Sequence, residues 1–391
     1  MDNKQSNEDL SSADDHNVSP QVGLEAVISA YQDGNFNLAA VKAAQYDQEF
    51  PDNEIVLSIL GNSQYQLGML DASISTMERI NTLFPANYKN HNNLGLAYQE
   101  AGELEKAATA LKTAIQLNPK YGEAYYNLGN VLFEQENIDE SIANYEQAIT
   151  LRPAHVGSLI NLGIAKKLKG SLDEAKECNE AAIRIDPNQA EPFYNIGILK
   201  LEAGNLHAEK EFMKPIELRP NYSEAYLNLG VLSAEQGKVS VAINFCEKIL
   251  SFDPAHLRAH ILLGKTHLSL GNEAESIRWF KRALEIDPTD SDACQELAAI
   301  SMDKKDYVSA ASFYSKSTTL ATSVDCLKCY FQIDTKDNFL PKLSEHIKNN
   351  SINASLGALV DSFNSKYTSD IDIHFIISCT IMRWISTWVL W

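Results

Sequence analysis

Five asparagines recur along the chain at a near-constant interval: Asn93, Asn127, Asn161, Asn195 and Asn228. Each directly precedes a Leu-Gly or Ile-Gly pair. A carboxamide donates and accepts hydrogen bonds at once, so it matches both halves of a peptide unit. A row of them could hold an extended backbone. The same groups could equally satisfy hydrogen bonds within their own chain. The run ends at Ile59 on one side and Leu262 on the other.

Other candidate chemistry is sparse. Cys326 and Cys329 form a CxxC. A structural zinc site needs a second ligand pair, and a redox dithiol needs a strand–helix context; neither is visible. Cys178, Cys246 and Cys294 fall at or beside apolar helical positions, where buried thiols are expected. Nine histidines are dispersed, with His256, His260 and His267 the densest group and no glutamate placed as in H-E-x-x-H. No Gly-rich phosphate loop, Ser-His-Asp set or paired-carboxylate context occurs. The expectation is a non-catalytic chain with no cofactor and no metal.

The asparagines are positioned by a repeat. Gly61, Gly95, Gly129, Gly163 and Gly197 step by 34 residues, and Gly230 and Gly264 come after one step of 33. Pro51, Pro85, Pro119, Pro153, Pro187, Pro220, Pro254 and Pro288 keep the same steps. The stretch from Gly122 to His155 shows what one period contains. Tyr125, Leu128 and Leu132 share a face at helical spacing, and Ile142, Tyr145, Ala148 and Ile149 do so again. Pro153 ends the second segment, because the residue before a proline is pushed out of the helical region. Gly129 costs about 1 kcal/mol against Ala in a helix, so close approach of a neighbouring helix is expected there.

These marks (Gly129, Ser141, Tyr145, Ala148, Pro153, and Gly95, Ala107, Leu111, Ala114, Pro119 one period earlier) resemble the tetratricopeptide repeat. The resemblance covers about 300 of the 391 residues and implies an all-α, right-handed superhelical solenoid of antiparallel helix pairs. It also implies that the asparagine slot faces a concave groove. A comparable asparagine ladder belongs to the repeats of the transferase that adds O-linked N-acetylglucosamine. On that likeness Asn93, Asn127, Asn161, Asn195 and Asn228 are the expected peptide-binding residues, joined by Asn130 three residues on and by Tyr126 and Tyr194, which adjoin the ladder. The basic clamp by which some family members hold chaperone carboxyl termini is not evident, since its slots hold Tyr126, Ile160 and Tyr194.

The formal net charge is −19, which argues against a nucleic-acid phosphate partner. Residues 1–19 are polar and acidic, predicting disorder and no secretory signal, hence a cytoplasmic chain. Residues 20–320 read as about nine repeats. The first is degenerate, with Val27 in the glycine slot, and the ninth has Ala298 there. The sixth, 190–220, is one residue short near Leu206–His207 and carries Pro215 in the alanine slot. An interior proline costs about 3 kcal/mol, so a hinge, simple drift and an error in the recorded sequence are the alternatives. Residues 321–366 read as capping or spacer helices. The stretch 323–366 resembles the linker before the catalytic domain in some bacterial repeat proteins, where that domain is a 2-oxoglutarate/iron oxygenase or a transferase.

The tail, 367–391, is apolar and holds three of the four tryptophans. A membrane anchor interrupted by Asp372, His374 and Arg383, a docked element, and a break in the reading frame are the three alternatives. The expected function is a scaffold binding extended peptide segments of a partner protein. The rival is the substrate-recruiting arm of a truncated enzyme, and membrane contact arises only if 371–391 inserts.

Overall fold

The computed structural model describes residues 20–205, 207–317 and 324–333. The expected disorder of 1–19, most of the spacer and the whole tail lie outside the described residues. Among those described there are nineteen helices and no strand. The chain divides between Asn205 and Leu206 into two compact units.

The first unit holds five helix pairs and one further helix. The pairs are α1 Pro20–Gln32 with α2 Phe36–Glu49, α3 Glu54–Gln66 with α4 Leu70–Leu83, and α5 Tyr88–Glu100 with α6 Leu104–Leu117. Next come α7 Gly122–Glu134 with α8 Ile138–Leu151, α9 Val156–Leu168 with α10 Leu172–Ile185, and α11 Glu191–Glu202. The second unit begins with α12 Glu209–Leu218 and continues with α13 Ser223–Glu235, α14 Val239–Phe252, α15 Leu257–Ser269 and α16 Glu273–Ile286. It then has α17 Ser291–Asp303, α18 Tyr307–Lys316 and α19 Val324–Gln332. Within each unit every helix packs on the next in sequence. The result is the all-α array of helix pairs that the period implies.

The period acts through two devices. Within a pair, the chain reverses at one left-handed residue. Gly102 has φ +74, and the amides of Gly102 and Glu103 reach back to Gln99 O and Tyr98 O at 2.9 and 2.8 Å. This is the Schellman closure, which satisfies carbonyls at the helix end. The fourth pair makes the same turn with Glu136 at φ 60. Across the pair, the repeat glycine admits the large side chain sixteen residues later. A β-carbon on Gly129 would stand 2.6 Å from Tyr145 Cε1, and one on Gly95 2.6 Å from Leu111 Cγ. Gly264 meets Phe280 in the same way. Real atoms do not approach so closely, so the glycine is a condition of the packing and offsets its helix penalty.

The degenerate ends are fully built. Val27 is 1% exposed in the first pair, and Ala298, Ala310 and Tyr314 are core residues of the ninth. The sixth repeat differs from expectation. Its second helix starts at Glu209, beyond Leu206–His207, and runs unbroken through Pro215 to Leu218.

Candidate functional site

Three of the five ladder asparagines, Asn93, Asn161 and Asn195, line a row of recesses between successive first helices. In the first unit three of them share one register. Asn62, Tyr65 and Gln66 of α3, Met77 of α4, and Asn93 and Leu96 of α5 line one of about 210 Å³. Asn130, Phe133 and Glu134 of α7, Tyr145 of α8, and Asn161 and Ile164 of α9 line the second, of about 260 Å³. Ile164 and Lys167 of α9, Asn179 of α10, and Tyr194, Asn195 and Ile198 of α11 line the third, also about 260 Å³. Each recess therefore takes the same slots of two adjacent repeats, because residues three and four apart share a helix face.

The carboxamides pair across the recesses. Asn161 Nδ2 donates to Asn130 Oδ1 at 2.9 Å, and Asn93 Nδ2 donates to Asn62 Oδ1 at 3.1 Å. Tyr145 also donates its hydroxyl to Asn130 Oδ1 at 2.9 Å. Burial pushes that phenol up to about 12, so it stays a donor at neutral pH. Among the described residues, Asn130 Nδ2 and Asn161 Oδ1 carry no further hydrogen bond. The pair thus keeps one donor and one acceptor side by side, the complement of a peptide unit.

Not every member of the ladder behaves alike. Asn127 is 4% exposed and donates to Asn92 Oδ1 at 2.9 Å. Asn92 in turn reaches Asn93 Oδ1 at 3.4 Å, so four carboxamides from Asn127 to Asn62 form one relay. Asn195 donates to Asn179 Oδ1 at 3.1 Å, and Asn179 to Ala175 O at 2.8 Å. Asn228, in the second unit, donates to Glu224 O of its own helix at 2.9 Å. Tyr194 lines the third recess. Tyr126 instead packs edge-on to His155 at 4.7 Å and near Tyr145 at 6.2 Å. The structure thus gathers Asn93, Asn130, Asn161, Asn195 and Tyr194 into recesses, and leaves Asn127 and Tyr126 in the packing between repeats.

Sequence reasoning missed Asn62, Tyr65, Phe133 and Lys167 as recess residues. Helical spacing could have found them: Asn62 stands three residues beyond the asparagine slot of its helix, and Tyr65, Phe133 and Lys167 stand six beyond it. Tyr145, a core residue by its spacing, is buried as expected and also floors a recess.

The CxxC is interior. Cys326 and Cys329 are fully buried in α19 against Ala298, Ala310 and Tyr314. Burial pushes the Cys329 thiol up to about 12, and Cys246 equally, which leaves both as unreactive thiols at neutral pH. His256 caps α15 by accepting from Ala259 N, and His260 Nε2 lies 2.9 Å from Pro254 O. Among the described residues no group of three His, Cys, Asp or Glu could hold a metal ion. No helix of the described residues is long and apolar enough to cross a membrane.

Comparison with known proteins accords with this geometry. Tetratricopeptide-repeat profiles match residues 122–155, 156–189 and 233–300, and a TPR-repeat profile matches 95–136. No curated protein matches the sequence. Among solved structures, a tetratricopeptide repeat protein from Parabacteroides merdae is similar, with 20% identity and TM-score 0.52 over 63% of this chain and 98% of that one. The MamA protein is 26% identical over 44% of this chain and 93% of its own, with TM-score 0.40. YrrB, described as a TPR protein with an unusual peptide-binding site, is 24% identical over 48% and 98%, with TM-score 0.39.

Proposed function

We propose that this array of tetratricopeptide repeats is a non-catalytic interaction scaffold that holds an extended segment of a partner protein along its asparagine-lined recesses. The observation that carries the proposal is the Asn130–Asn161 pair, which is anchored by Tyr145 yet keeps a donor and an acceptor for a ligand. Main-chain groups of an extended peptide would meet these, and the apolar walls, Phe133 and Ile164, would take its side chains. Recognition of main chain gives modest sequence preference. The five cysteines of the described residues stand outside any disulfide, which suits a reducing compartment such as the cytoplasm.

The test is a peptide selection. Peptides captured from a random library by the full chain are measured by fluorescence anisotropy against N130A/N161A. Both substitutions together should weaken binding about ten-fold or more, as expected for loss of main-chain hydrogen bonds, with helical circular dichroism unchanged. Equal affinity for the variant would sink the proposal.

A further inference from the structure

The second repeat carries a neutral polar side chain where six later repeats are aliphatic. Four residues before each closing proline stand Ile115, Ile149, Ile183, Ile216, Leu250 and Leu284 in six repeats. In the first repeat that slot holds Asp47, paired with Arg79 at 2.5 Å, and in the second it holds Asn81. Both polar atoms of Asn81 are buried and find no hydrogen-bond partner among the described residues. Buried carboxamides are almost always satisfied, so each exception calls for a reason.

Asn81 lines a cleft of about 700 Å³ between α4 and α6, floored by α5. The cleft lies opposite the recesses: by helical spacing His91, Leu94 and Tyr98 fall on the other side of α5 from Asn93 and Leu96. Its charge is acidic, with Glu78 and Glu105 against Lys106. Tyr98 donates its hydroxyl to Glu78, and its ring faces a cation, Lys106 Nζ, at 5.2 Å from the centroid. Lys106 is itself a surface side chain, paired with Glu103 and 60% exposed. The place it occupies is a cation site made of an aromatic face and carboxylates.

We propose that this cleft binds an arginine- or lysine-bearing segment of a partner protein. The partner's cationic head displaces Lys106 from over Tyr98 and pairs with Glu78 and Glu105. The amide of Asn81 donates to a main-chain carbonyl of the segment and accepts from its N–H or guanidinium. Reaching that amide needs only the side-chain adjustments usual at interfaces. Charge complementarity chooses the occupant, and the whole chain, at −19, favours the same sign of partner.

The experiment is fluorescence anisotropy of the full chain with a labelled hexa-arginine peptide at about 0.15 M salt, where diffuse attraction is screened. Hexa-citrulline is the neutral isostere. Asn81→Ile installs the aliphatic side chain of six other repeats, so it should fold with an unchanged or higher melting temperature. It leaves the charge untouched and should weaken hexa-arginine binding about ten-fold or more. Lys106→Ala should tighten binding by removing the internal competitor, and Glu78→Gln should weaken it. N130A/N161A, which tests the recesses, should leave it unchanged. Equal binding by wild type and N81I would overturn the proposal, as would equal binding of hexa-citrulline. Either would mean that basic peptides are held by the acidic surface at large.

Discussion

The second helices α8 and α12 stand in the same place of their repeats and solve different sequence problems. Counted back from the closing prolines, Pro153 and Pro220, their cores coincide. Tyr145 and Phe212 both stand eight residues before the proline and are 1% and 0% exposed. Ser141 and Ala208 stand twelve before and are fully buried in both. Only the starts differ: α8 spans 14 residues and α12 spans 10. The lost residue is therefore absorbed at the amino-terminal end, while Pro215 stays inside the helix as the seventh of its ten residues and removes one intrahelical amide. Register in this repeat is held from the closing proline, and the helix start is the adjustable part.

Truncating the two matched aromatics is the strongest way to break this likeness. Tyr145→Ala and Phe212→Ala should each cost about 3–5 kcal/mol, as for other buried aromatics, read from urea unfolding. A cost below about 1 kcal/mol for Phe212→Ala alone would show that α12 only imitates the packing of α8. The next test restores the alanine slot. Pro215→Ala returns an amide opposite Glu211 O and should raise stability by about 1–3 kcal/mol. An unchanged unfolding midpoint would mean that the shortened start had already relieved the proline.

The closing prolines, the glycine contacts and the core slots were legible in the sequence, because each rests on a fixed distance along one chain segment. The individual fates of the ladder were not. Asn93 and Asn161 find a carboxamide 31 residues earlier, in Asn62 and Asn130. At the same distance Asn127 finds Leu96 and Asn195 finds Ile164. Their amides therefore turn elsewhere, to Asn92 and Asn179. The slot is local but its partner is in another repeat, and only knowledge of which slots touch would have separated the four. Asn81 is the reverse case. Its departure from the aliphatic pattern was visible, but the cleft that gives it meaning depends on three helices.

The smallest expected effect lies where the next repeat begins. Two residues after the prolines stand His155 and Tyr222, the N-caps of α9 and α13. His155 Nδ1 accepts the amide of Ser158 at 3.2 Å, whereas Tyr222 makes no side-chain cap bond. The cap needs a neutral ring. Burial, with the Arg152 charge second, holds His155 below the usual histidine range. A folded value below the unfolded one means that the unfolded chain binds the proton more readily, so stability rises with pH. The contribution is complete above about 6.5 and is lost as pH falls through the lowered folded value. Its size is that of one cap, about 1 kcal/mol, in a half-buried position that solvent reaches. Hydrogen exchange of the Ser158 and Leu159 amides, corrected for intrinsic rates, should therefore show protection falling from about pH 7 to pH 5, with the first turn of α13 unaffected. His155→Gln should remove the pH dependence. Equal behaviour of the two helix starts would show that the capping difference has no energetic consequence.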